Sequence, residues 1–191
     1  MTEQYRFTES TKAYLIRFYA ILDEMIKGIE QACLTDSISH NFIVQMIPHH
    51  QAAIQMSRNI LQYTDCAPLQ RIAQTIIAQQ TQSIQDMLDA KCRCSTQASP
   101  RTDLCLYQRH FRQIVHTMFT DMDTACSDNN ISNNFLREMI PHHIGAIRMS
   151  ENALRYCICP QLHPILSAII TSQRQEVQEM EQFLKDSTCQ D

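Results

Sequence analysis

Two glycines in 191 residues, and no tryptophan, set the first limits on this chain. β-Sandwiches and dinucleotide-binding units rely on tight turns that glycine makes possible, so both architectures are disfavoured. No stretch approaches the roughly 18 consecutive apolar residues that a membrane-spanning helix needs. The net charge of -4 offers no attraction to nucleic acid or to an anionic membrane, so neither is an expected partner. The first twelve residues hold no apolar segment of the kind that opens an export signal, and a cytoplasmic location is expected. Catalytic signatures are missing as well. There is no glycine-rich phosphate loop, no His-Glu-x-x-His and no Gly-x-Ser-x-Gly, so no enzyme activity is expected.

What the chain does contain is a repeat. Asn41-Phe-Ile-Val-Gln-Met-Ile-Pro-His-His-Gln-Ala-Ala-Ile-Gln-Met56 returns as Asn134-Phe-Leu-Arg-Glu-Met-Ile-Pro-His-His-Ile-Gly-Ala-Ile-Arg-Met149, displaced by 93 residues. The same offset pairs Tyr14 with Tyr107, Phe18 with Phe111, Met25 with Met118 and Cys33 with Cys126. Beyond the motif it pairs Tyr63 with Tyr156, Cys66 with Cys159, Gln80 with Gln173 and Met87 with Met180. The alignment needs no insertion, which describes a duplicated unit of three helices over about residues 9–91 and 102–185. The segment near 92–101 is the linker, short enough that the halves are expected to form one domain, 1–191.

Helical periodicity runs through each unit. Leu15, Phe18, Leu22, Met25 and Ile29 step by 3 and 4 along a first helix expected from about Glu9 to Ala32. Its copy starts near Thr102-Asp103. The second helix is expected near Ser39, with Ser132 as the equivalent cap. It carries Phe42, Met46, His49, Ala53, Met56, Ile60 and Tyr63 on one stripe and Ile43, Ile47, His50, Ile54 and Leu61 on the next. Pro48 lies inside this pattern and is expected to kink the helix just before the histidines. Third helices are expected after Cys66-Ala-Pro68 and after Cys159-Pro160. The result is an all-α chain of six helices, three in each half.

Metal-ligand residue types recur at helical spacing. Met46 lies one turn from His49 and His50, where Cβ atoms are about 5–6 Å apart, and Met139, His142 and His143 repeat the arrangement. Met56 and Met149 stand two turns beyond His49 and His142, too far along the helix to share one ion with them directly. Met87 and Met180, on the third helices, would supply further sulfurs. Adjacent histidines diverge by about 100°, so one can serve a different site from the other. Thioether with imidazole is a soft to borderline set that favours copper, above all Cu(I). A di-iron centre is disfavoured, because Glu138 is matched by Gln45 and Glu176 by Ser83. Met25, Met118 and Met122 read as core packing.

Nine cysteines, an odd number, leave at least one without an intrachain partner. Cys92-Arg-Cys94 and Cys157-Ile-Cys159 are close pairs that could hold Cu(I) or Zn(II), although the repeat does not relate them. Alternating helix directions would put Cys33 at the same end as Cys92 and Cys94, with Cys126 and Cys189 as counterparts, so two disulfide staples are expected in oxidising surroundings.

The motifs Phe42-x-x-x-Met-x-x-His-His-x-x-Ala-Ile-x-Met56 and Ile76-Ile-x-x-Gln-x-x-Ser-Ile-x-x-Met87, with their second-half copies, resemble the domain of unknown function 305 family, which includes copper-binding proteins. The resemblance implies a ferritin-like bundle, with four of the six helices in the central bundle and one added per half. It also implies copper held through Met46, His49, His50, Met56 and Met87, and through Met139, His142, His143, Met149 and Met180. Ser83 departs from the family pattern, which has Glu there, as Glu176 does. The reading is a protein that binds Cu(I), and Ag(I) with it, for buffering, storage or tolerance. The alternatives are a metal-free scaffold or partner-binding module whose histidines are core polar pairs, and a thiol-redox protein using its Cys-x-Cys pairs. Whether copies associate, and which protein would donate or accept copper, stays open.

Overall fold

The computed structural model describes residues 6–186 apart from residue 126. Six helices make up the described chain: α1 (Glu9–Glu30), α2 (Ile38–Ile60), α3 (Ala67–Cys94), α4 (Arg101–Asp123), α5 (Ile131–Ala153) and α6 (Leu162–Asp186). The described residues form no strand. Helices α2, α3, α5 and α6 make the four-helix core, with α2 against α3, α5 against α6, and the halves joined through α2–α5 and α3–α6. Helices α1 and α4 pack on α2 and α5. They take the face away from the second histidine of each motif. Pro48 and Gly145, two residues and so about 200° around the helix from His50 and His143, meet Gly28 of α1 and Met118 of α4.

The ends of the helices repeat, with one correction to the sequence reading. Thr8 caps α1, its side chain accepting from the Thr11 N–H at 3.1 Å. The caps of α2 and α5 are Ser37 and Asn130, two residues before Ser39 and Ser132. Ser39 and Ser132 are fully helical and buried, and they tie the core to loops instead. Ser39 Oγ accepts from the Cys159 N–H at 2.9 Å, and Ser132 Oγ bonds Thr64 Oγ1 at 3.5 Å. Asn41 and Asn134, which open the repeated motif, each clasp the preceding loop by taking an N–H and giving an N–H to one residue, Thr35 and Asp128 respectively. Asn59 and Asn152 donate to the carbonyls of Tyr14 and Tyr107, at 3.1 Å in both halves. Buried side-chain amides satisfied in this way fix register where apolar packing alone would allow sliding.

The cysteines depart from expectation. Helix α3 runs through Cys92 and Cys94, so the linker shortens to residues 95–100. Cys94 is bonded to Cys159, with Cα atoms 5.2 Å apart, and joins the end of the first half to the turn before α6. Cys66 is disulfide-bonded as well. Cys33, expected beside Cys92 and Cys94, is exposed and free, as are Cys92, Cys105 and Cys157. The helix explains this: residues two apart on α3 point about 200° away from one another, so Cys94 faces inward while Cys92 faces solvent. The expected counterparts Cys126 and Cys189 lie outside the described residues.

α2 continues through Pro48, and α5 through Pro141, without a break in helical assignment. Gly28 lets α1 approach the proline. A Cβ there would stand 2.7 Å from Pro48 Cβ, whose ring cannot rotate away, whereas at Gly145 it would meet the flexible thioether of Met118. Gly28→Ala is expected to lower stability by about 1–3 kcal/mol through overpacking, outweighing the gain of about 1 kcal/mol in helix propensity. Urea denaturation checks this, and a stabilised Gly28→Ala protein would mean that α1 does not rest on Pro48.

Candidate metal centre

All ten side chains singled out in the sequence are at most 1 % exposed. The structure brings four of them together across the halves. His49 of α2 and His142 of α5 stack with ring centroids 3.7 Å apart and planes 28° apart. Their neighbours turn the other way, toward α3 and α6. His50 Nε2 lies 3.1 Å from Ser83 Oγ, and His143 Nε2 lies 3.0 Å from Glu176 Oε2. Within each helix the adjacent rings are 6.0 and 5.9 Å apart. The two motifs therefore form one cluster, with one outer imidazole on either side of the stacked pair.

The methionines are placed by register. Met46 and Met139 precede the first histidines by three residues on α2 and α5. Met87 follows Ser83 by four residues on α3, and Met180 follows Glu176 by four on α6. Side chains at that spacing are neighbours on one helical face. The residues bonded to His50 and His143 thus bring Met87 and Met180 within about one turn of those imidazoles. Met56 and Met149 are buried two turns along the first stripe. Among the described residues no three His, Cys, Asp or Glu side chains converge into a metal-sized group. A complete ligand set here needs thioethers.

The electrostatics suit a neutral-ligand site. Six ring nitrogens have no hydrogen-bond partner: both on His49, both on His142, and Nδ1 on His50 and on His143. Burial, reinforced by the neighbouring histidines, holds His49 and His142 well below the usual histidine value and pushes His50 down to about 3. These imidazoles are neutral at pH 7 and present lone pairs. Unpartnered buried nitrogens cost free energy, and a bound soft cation would remove that cost. The His143–Glu176 bond has the form of the carboxylate–histidine pairs that orient metal-bound imidazoles. Sequence reading noted Ser83 and Glu176 only as a departure between the halves. The signal for more was present, since Glu176 is an acid on an otherwise buried helical stripe.

A second acid lies outside this cluster. Tyr14 OH donates to Glu138 Oε2 at 2.7 Å, both residues being buried. Burial pushes the Glu138 carboxyl up to about 8, against the lowering effect of the tyrosine bond. The repeat places Tyr107 and Gln45 at the equivalent positions, and there Tyr107 OH and Gln45 Oε1 have no partner.

A family model described as "Domain of unknown function (DUF305)" matches residues 21–91 and 39–184. Solved structures with a similar fold include "CopM in the Ag-bound form (by soaking)", 28 % identical with a TM-score of 0.59, covering 82 % of this chain and 98 % of that one. They include "CopM in the Cu(I)-bound form", 26 % identical with a TM-score of 0.57, covering 82 % of this chain and 100 % of that one. "CopM in the Cu(II)-bound form" is 28 % identical with a TM-score of 0.58, covering 78 % and 97 %. No curated protein matches the sequence.

The buried titratable groups give the metal-free protein a two-sided pH dependence. His49, His50 and His142 gain protons only on unfolding, so their contribution is complete above about pH 6.5 and is lost as pH falls from there toward about 3. Each proton gained by the unfolded chain costs about 1.4 kcal/mol per pH unit. Glu138 acts oppositely: its contribution is complete below 4.5 and is lost as pH rises toward about 8. Chemical denaturation at pH 5, 6.5 and 8 should show a maximum, and Glu138→Gln should flatten the alkaline side while steepening the acid side. An unchanged alkaline side in that variant would show that Glu138 is not held protonated by the fold.

Proposed function

The chain belongs to the family described as domain of unknown function (DUF305), and on that footing we propose that it binds Cu(I), and Ag(I) with it, through paired Met/His sets, and holds the ion rather than turning over a substrate. The observation that carries this reading is the cluster of four buried imidazoles, with six unpartnered ring nitrogens, in a core that also buries six methionines on the four helices around them. His50 Nδ1 with Met46 and Met87 forms the first set, and His143 Nδ1 with Met139 and Met180 the second. His49 and His142 stand between them, with Met56 and Met149 as further sulfurs along the stripe. Neutral thioether and imidazole donors match Cu(I), which gains little from carboxylates. The CopM structures with copper and silver support metal binding by this fold. The two repeats act as one domain in this reading, for buffering, storage or tolerance.

The bonds of His50 to Ser83 and of His143 to Glu176 favour a second reading, a metal-free bundle whose histidines are core polar pairs. A thiol-redox role has less to draw on. Cys92 and Cys157 are exposed and free, and the other member of each pair is already bonded. No described helix is long and apolar enough to cross a membrane. Disulfides persist in oxidising compartments, so a cytoplasmic setting goes with the form in which Cys94 and Cys159 are thiols.

Anaerobic Cu(I) titration against a chromophoric chelator, with the exposed cysteines alkylated, tests the proposal. Wild type should compete for the ion. Combined His49→Ala and His50→Ala, or His142→Ala and His143→Ala, should each remove one half-site with the helical circular dichroism retained. Glu176→Gln should weaken the second half-site by about 10–100-fold, the usual effect of losing the partner that orients a ligating histidine. Uptake that alkylation abolishes would move the chemistry to the thiols, and no uptake by wild type would leave the scaffold reading.

A further inference from the structure

Glu176 closes over His143 in the second half, but the first half has only Ser83 in that place. The two residues are repeat equivalents, and each bonds the Nε2 of its histidine. Glu176 is 3 % exposed, while Ser83, with a shorter side chain, is half-buried. Above Ser83 a cleft of about 230 Å³ opens between α3 and α6, lined among others by His50, Gln80, Ser83, Asp86, Ile169 and Gln173. His50 forms its floor and is itself screened from solvent, with the serine hydroxyl on its ring.

Two features distinguish this cleft from a packing gap. Gln80 and Gln173 face it from opposite helices, are each 2 % exposed, and carry side-chain carbonyl oxygens with no donor. Buried amide oxygens without partners are costly, and rotation of these two side chains would offer an oxygen from each wall to a cation that has shed part of its water. At the rim the exposed carboxylate of Asp86 supplies negative charge, which draws cations toward the opening.

We propose that this cleft is the port by which the ion reaches and leaves His50, with the Ser83 hydroxyl as its closure. The proposal rests on the copper-binding reading above. Passage requires a hydroxyl and the Gln80 side chain to rotate. Access past Glu176 would instead require a buried carboxylate to leave its histidine. The half-sites therefore exchange their ion at different rates, the first fast and the second slow, although their ligand types are the same.

Rapid mixing of a Cu(I)–chelator complex with the full chain, exposed cysteines alkylated, tests this through the rate of chelator release. Ser83→Glu rebuilds the second-half closure in the first half. Ala168→Phe narrows the exposed rim of the same cleft without touching His50. Wild type should show two phases, and both variants should slow the fast one by about tenfold or more, the effect of a barrier higher by about 1.4 kcal/mol. Equilibrium stoichiometry of the Ala168→Phe protein should stay at the wild-type level. Normal equilibrium uptake with an unchanged fast phase in both variants would overturn the port alone. Absence of equilibrium uptake by wild type would overturn the copper reading and the port together.

Discussion

Four imidazoles sit in the middle of a helical core with too few hydrogen-bond partners, and the rest of the structure is arranged around that fact. Burial keeps His49, His50 and His142 neutral. Stacking lets His49 and His142 share one contact between α2 and α5 without either finding an acceptor. A hydrophobic side chain of similar size would fill the same space at lower cost.

Duplication built the two halves alike, and the places where they differ are informative. Both keep the loop clasps of Asn41 and Asn134, the amide ties of Asn59 and Asn152, and the edge-to-face tyrosine pairs Tyr14–Tyr63 and Tyr107–Tyr156. These set the frame. The second half alone carries the buried acids Glu138 and Glu176, one bonded to a tyrosine and the other to a histidine. The first half has Gln45 and Ser83, the former with an unpartnered oxygen. One frame thus holds two electrostatically different interiors.

Much of this was legible in the sequence, and the remainder was not for identifiable reasons. Apolar spacing and the constant offset located six helices, because periodicity reports burial directly, and the family resemblance supplied the four-helix core. The caps of α2 and α5 were placed two residues late, since Ser39 and Ser132 are good capping types but their hydroxyls are used on Cys159 and Thr64. The pairing of Cys94 with Cys159 was missed because disulfide connectivity depends on which ends of the helices meet, and periodicity does not encode that. The divergence of adjacent histidines follows from helix geometry. The stacking of His49 on His142 required knowing which helix lies opposite.

The Cys94–Cys159 bond makes a covalent ring of the chain between them. Helices α4 and α5, with the whole second histidine motif, lie inside that ring. A backbone cut in the turn between α4 and α5 opens the ring but leaves one covalently connected molecule. A cut between α1 and α2 falls outside it and leaves α1 held by noncovalent contacts, the Tyr14–Glu138 and Asn59–Tyr14 bonds among them. Damage tolerance is thus unevenly distributed over two halves of nearly the same shape.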